Sequence, residues 1–287
     1  MAHVVPSGGR PPLGPEGFRW LEWNADPVLV AGLAALGVCY AVAVARRHRV
    51  DPGAPLETRR AVSFAGALAV LGSVLTGPLH DLSDYYLFSA HMLQHLVLVF
   101  VMPPLLLYGI PPWMARALVA APLLRRLGRP LTRPFGAFAA FNLVLVAWHL
   151  PPLYNLAMDV HPVHIVQHLM IMAASVILWW PLLSPLPELP RAPYPVQILY
   201  LFVVGLPMVV VAIFITMSDS VLYRYYADAP RVFPALSPHA DQHLGGLLMW
   251  IPGGMVFLVA VSVVFFRWQA AGADDVQVGP IEAHRGG

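Results

Sequence analysis

The residues that could do chemistry in this chain sit in one six-residue pattern, His-x-x-Gln-His-Leu. It occurs three times, at 91–96, 164–169 and 239–244. Histidines four apart stand one above the other on a helix face. The second histidines, His95, His168 and His243, are separated by 73 and then 75 residues. A near-constant step means that the pattern recurs once per structural unit. Metal ligation is the first candidate for imidazoles paired in this way. The intervening Gln94, Gln167 and Gln242 are placed to hydrogen-bond a ligand imidazole and fix its tautomer.

The elements that carry these pairs must be membrane helices. Of the 287 residues, 58% are hydrophobic and 11% charged, with a mean hydropathy of +0.67. A soluble domain carries roughly 25% charged residues. The expected fold class is therefore all-α, a polytopic bundle in the lipid bilayer. All 17 basic residues are arginine, and the net charge of +2 offers nothing to nucleic acid. Cys39 is the only cysteine, so an internal disulfide and a Cys-x-x-Cys metal site are both excluded. Any metal must be held by histidine, methionine or carboxylate.

Seven apolar runs approach the ~20 residues that a bilayer requires: about 27–45, 61–79, 86–108, 135–150, 161–183, 196–217 and 241–266. Pro103-Pro104 should kink or end the third, and Pro151-Pro152 should stop the fourth. A short polar turn, 80–84, closes the second. The linker 184–195, with five prolines, should be extended. The expected organisation is a tail (1–26), a seven-span membrane domain (27–266) and a polar tail (267–287). After the first span, the domain reads as three helical hairpins. Residues 1–19 lack the apolar stretch of a cleavable signal. With the first loop inside, 13 arginines fall on the cytoplasmic side and 4 outside. The positive-inside rule then puts the N-terminus outside and the C-terminus inside.

On that topology nine of the twelve histidines fall at outer ends of spans. They are His80, His91, His95, His149, His161, His164, His168, His239 and His243. A single histidine at a helix end is ordinarily an interfacial hydrogen-bonding residue. Histidine within a bilayer is rare, faces the bundle interior and carries function. Nine at one depth, six of them in repeated pairs, favour a shared cluster near the extracytoplasmic face. Met92 and Met249 flank it, although methionine is ordinarily core filler. Asp81, Asp84, Asp159, Asp219 and Asp241 could attract a cation at the entrance. Asp241 could instead cap its own helix.

Imidazole suits zinc, copper, iron and nickel, and thioether shifts the choice toward Cu(I). A zinc protease would show His-Glu-x-x-His, and none of the three motifs has that glutamate. Stacked haems would need ligands at two depths. Copper is the first reading, with His91, His95, His164 and His168 as principal ligands. His80, His149, His161, His239, His243, Met92 and Asp241 complete the candidate set. A haem-binding redox protein and an intramembrane zinc hydrolase, with Asp84 or Asp241 as base, remain open.

Over roughly 78–266 the chain also resembles the CtaG-type cytochrome c oxidase assembly factors. The matching stretches are His91-Met92-Leu93-Gln94-His95, Trp148-His149-Leu150-Pro151-Pro152-Leu153-Tyr154, His164 to His168 and Trp179-Trp180-Pro181. To these is added Asp241-Gln242-x-x-Gly245-Gly246-x-x-Met249-Trp250. In span 7 the family pattern rests on the Asp-Gln and Gly-Gly pairs more than on histidine. The resemblance implies a seven-span, non-enzymatic assembly factor that matures haem-copper oxidase. It further implies copper handled on the outer side and oxidase subunits as partners.

Overall fold

Proline starts the helices of this chain more often than it breaks them. A proline at the first helical positions loses nothing, because the amide it lacks has no intrahelical acceptor there. The structure, a computed structural model, describes residues 18, 20, 21, 23 and 26–277, with side chains to residue 271. The segment 1–17, read above as part of the N-terminal tail, lies outside the described residues.

The elements are α1 (Pro27–Val50), α2 (Thr58–Thr76), α3 (Pro78–Tyr85), α4 (Phe88–Phe100), α5 (Met102–Gly109), α6 (Pro112–Leu118) and α7 (Pro122–Leu131). They continue as α8 (Pro134–His149), α9 (Pro151–Asp159), α10 (His161–Leu183), α11 (Tyr194–Val204), α12 (Leu206–Thr216), α13 (Arg224–Ala227) and α14 (Pro238–Gln277). No strand occurs among the described residues. Asp26 caps α1, its carboxylate accepting from Val28 N at 2.7 Å and Leu29 N at 3.0 Å.

Among the described residues, six helices are long and apolar enough to cross a membrane: 27–50, 58–76, 88–109 (α4 with α5), 161–183, 194–216 (α11 with α12) and 238–271. The fourth expected span is α8. Its 16 residues reach only ~24 Å at 1.5 Å per residue, short of a ~30 Å hydrocarbon core. It passes as a seventh span only together with α7, from which it bends by 92°. The bend suits α7's composition. Leu123, Leu124, Leu127 and Leu131 share one face, and Arg125, Arg126 and Arg129 the other, the pattern of a helix lying in an interface.

Some expectations about connections are corrected, while the breaks expected at Pro103-Pro104 and Pro151-Pro152 are present. The segment 80–84 is helix α3 rather than a turn, because Pro78 restarts the chain after Gly77. The third span breaks at Val101. There Pro103 cannot donate to the Val99 carbonyl, which takes the Trp179 indole N–H at 2.8 Å instead. Pro151 both ends α8 and begins α9. The linker after α10 is folded back rather than extended. Ser184 Oγ bonds the Leu189 carbonyl at 2.6 Å, and Ala192 N bonds the Pro181 carbonyl at 2.8 Å. The last helix runs on to Gln277, through much of the segment read as a tail.

Four of these spans and α8 close into a ring. α4 packs on α14, α14 on α11 and α12, these on α8, α8 on α10, and α10 back on α4 and α5. The main core fills this ring, with Phe88, Phe141, Leu178, Leu201 and Phe257 among its buried side chains. Outside it, α2 packs against α5 and α3, and α1 against α2. Tyr40 ties α1 inward, stacking on Phe64 and donating to the Gly109 carbonyl at 3.1 Å.

Candidate metal centre

The pairs on α4 and α10 meet at the top of the ring. His91, His95, His164 and His168 are all buried. Ring centroids lie 4.2 Å apart for His91–His95, 4.4 Å for His164–His168, 5.2 Å for His95–His168 and 5.5 Å for His91–His164. Two donor groups result: His91, His95 and His168, and Asp84, His91 and His164. Within each, one ligand atom per residue lies within 4.8 Å of the others.

Tyr226, from the α12–α14 connection, sets the tautomer of His91. Tyr226 donates its hydroxyl proton to the Ser83 carbonyl at 2.6 Å, and its oxygen lies 3.0 Å from His91 Nδ1. With that proton spent, the oxygen accepts, so Nδ1 carries the imidazole proton. His91 Nε2, buried and without a hydrogen-bond partner, is then the lone-pair nitrogen. Nε2 of His164 and His168, and both nitrogens of His95, are likewise buried and unpartnered. Two further tyrosines fasten this connection over the site. Tyr225 donates to the Asp84 carbonyl at 2.7 Å and Tyr223 to the His149 carbonyl at 3.0 Å.

Asp84 belongs to the cluster and was missing from the candidate ligands. It is 4% exposed, with one oxygen 3.5 Å from His80 Nδ1 and the other 3.7 Å from His164 Nδ1. A signal existed: His80 and Asp84 are four apart, and α3 puts them on one face. Gln94 lies 3.4 Å from His80 Nδ1 while donating to the Val74 carbonyl at 2.8 Å, an imidazole contact of the expected kind. Gln167 is fully buried with neither amide atom hydrogen-bonded.

The third pair stands apart. His239 and His243 are half-buried, with ring centroids 4.1 Å apart and planes tilted by 53°, and neither joins a donor group among the described residues. His239 Nε2 faces the Ser218 carbonyl at 2.9 Å, which can only accept. Asp241 caps a helix, but α4 rather than its own. Its carboxylate accepts from Phe88 N at 2.8 Å, Ser89 N at 3.1 Å and Ser89 Oγ at 2.5 Å. Gln242 bonds no imidazole. It accepts from Leu222 N at 2.7 Å and donates to the Ser220 carbonyl at 3.0 Å, holding the tyrosine-bearing connection. A β-carbon on Gly245 would overlap the Phe88 ring, and one on Gly246 the Thr216 hydroxyl. The third motif thus seats α14 against α4 and α12. His161 is half-buried, its Nδ1 unpartnered, outside both donor groups.

His149 ends α8, its Nδ1 donating to the Leu145 carbonyl at 2.7 Å and leaving Nε2 buried and unpartnered. It lines an internal space of about 30 Å³ at the ring's centre, together with Met92, His95, Met208 and Met249. Met208 carried no signal in the sequence, since nothing there aligns α12 with the histidine helices.

A polytopic helical membrane protein with a buried histidine–carboxylate cluster under a tyrosine-fastened connection is the class that these features define. The chain belongs to the cytochrome c oxidase caa3 assembly factor (Caa3_CtaG) family, whose model matches residues 38–271. It is also similar to uncharacterized proteins of Mycobacterium leprae and Mycobacterium bovis, at 25% identity over 265 and 266 residues. Each match covers 86% of this chain and 39% of the relative. The chain therefore spans about two fifths of the length of these curated relatives. No solved structure matches it.

Proposed function

We propose that this protein assists assembly of a haem-copper cytochrome c oxidase by binding copper at the α4–α10 cluster and delivering it to an oxidase subunit docked in the membrane. The observation that carries the reading is the set of buried imidazole nitrogens without partners, facing one another beside one carboxylate. Leaving a buried polar atom unpaired costs about 1–3 kcal/mol, a cost that a sequence keeps where the atoms serve a ligand. Copper is the cargo, and neutral imidazole with nearby thioether suits it. Surplus histidines suit transfer, because the ion can exchange ligands without becoming bare. The family supports the oxidase as client.

The orientation follows from the arginine distribution: seven spans, N-terminus outside, cluster toward the extracytoplasmic face of the cell membrane. A reporter active only in the cytoplasm, fused after Gly287, should give signal. Function is tested in cells lacking the protein, complemented with the parent or with His164→Ala/His168→Ala. The oxidase should lose copper in the second case while the variant still accumulates in the membrane. Normal oxidase copper with the variant would refute delivery from these residues.

A further inference from the structure

We propose that the chamber at the centre of the ring is a second copper station, selective for Cu(I), with His95, His149 and the thioethers of Met92, Met208 and Met249 as its donors. It rests on the copper reading of the cluster above it, which it extends inward. The residues come from four different spans, α4, α8, α12 and α14, and converge on one space of about 30 Å³. A space of ~10–15 Å³ already admits a water-sized sphere.

Three features favour a soft monovalent ion. The remaining lining is aliphatic and aromatic and includes no Asp or Glu, so nothing neutralises a divalent charge. Thioether donors select Cu(I) among the first-row metals. His149 is held in one tautomer by the Leu145 carbonyl at 2.7 Å, which leaves Nε2 as its buried lone-pair nitrogen, an arrangement seen for metal-ligating imidazoles.

The methionines are seated deliberately. A β-carbon on Gly253 would lie 2.7 Å from Met208 Cε, and one on Gly245 would lie 3.2 Å from Met92 Cγ. Glycine at both positions of α14 makes room for these side chains. His95 links the two stations. It is a member of the upper donor group and lines the chamber, and both its ring nitrogens are buried without partners. Transfer between stations is then ligand exchange about one shared imidazole, with no change of oxidation state.

The test uses the full chain in detergent, labelled with selenomethionine and loaded with Cu(I) under reductant, and reads copper-edge X-ray absorption. Selenium separates methionine from the thiol of Cys39. The expected spectrum contains copper–selenium scattering as well as nitrogen. Met92→Leu/Met208→Leu/Met249→Leu should abolish the selenium contribution and keep the nitrogen-only copper. His164→Ala/His168→Ala should do the reverse. Nitrogen-only scattering in the parent overturns the chamber and leaves the upper cluster standing. Selenium scattering that survives the triple substitution also overturns it. No copper retained by the parent overturns both stations. The parent spectrum decides even if the triple variant does not fold.

Discussion

Replacing Asp241 separates a scaffold from a ligand. In the sequence Asp241 reads equally well as a metal donor, but its carboxylate holds the start of α4 through two backbone amides and the Ser89 hydroxyl. Asp241→Ala leaves the Phe88 and Ser89 N–H groups in a fully buried place with no acceptor. At about 1–3 kcal/mol for each unpaired group, the substitution should destabilise the protein by about 2–6 kcal/mol. That is a large part of a total stability of about 5–15 kcal/mol. Asp241→Asn keeps one acceptor oxygen and should cost about half as much, about 1–3 kcal/mol. The assay is equilibrium unfolding in mixed detergent micelles, with copper per chain measured on the folded fraction. Copper stoichiometry should persist in Asp241→Asn, weakened only as far as His91, three residues into α4, is displaced. Unchanged stability in Asp241→Ala together with lost copper would refute the capping argument and make Asp241 a ligand.

Other outcomes follow from the same contacts. Tyr226→Phe removes the hydroxyl that accepts from His91 Nδ1; copper affinity should fall about 10–100-fold, as for other groups that orient a ligand imidazole, and an unchanged competition titration would count against it. Gly246→Ala forces a β-carbon onto Thr216 and should destabilise by about 1–3 kcal/mol, with Gly254→Ala, which meets open space, as the control in the same unfolding assay. Copper retention should decline on acidification, because each metal-bound nitrogen must be free of its proton, read by equilibrium dialysis against buffers of stepped pH.

Much of the site was legible because its residues lie on single helices. The i, i+4 spacing of His91–His95 and His164–His168 fixes a shared face whatever the tertiary packing, and those four meet. The same spacing at His239–His243 gave the same reading, yet His239 faces the Ser218 carbonyl and neither ring joins the cluster. Spacing along a helix says which side chains share a face, not what the face meets. In the third motif Asp241, Gln242 and the two glycines carry the positioning instead. Asp84 was misplaced because 80–84 reads as a turn when proline is taken only as a breaker, whereas Pro78 begins a helix there. Met208 and His149 converge through the order of helices around the ring, and no periodicity encodes that order. The spans themselves were clear from hydropathy, except α8, whose 16 residues are too few to cross alone.

The central claim is that the α4 and α10 histidines hold copper. Copper per chain, measured by elemental analysis after dialysis of protein purified with its natural metal, tests it most directly. The parent and His239→Ala/His243→Ala should retain copper, and His95→Ala/His168→Ala should lose it while remaining folded. Equal copper in the parent and the His95→Ala/His168→Ala variant would contradict the account, as would zinc or haem in place of copper in the parent.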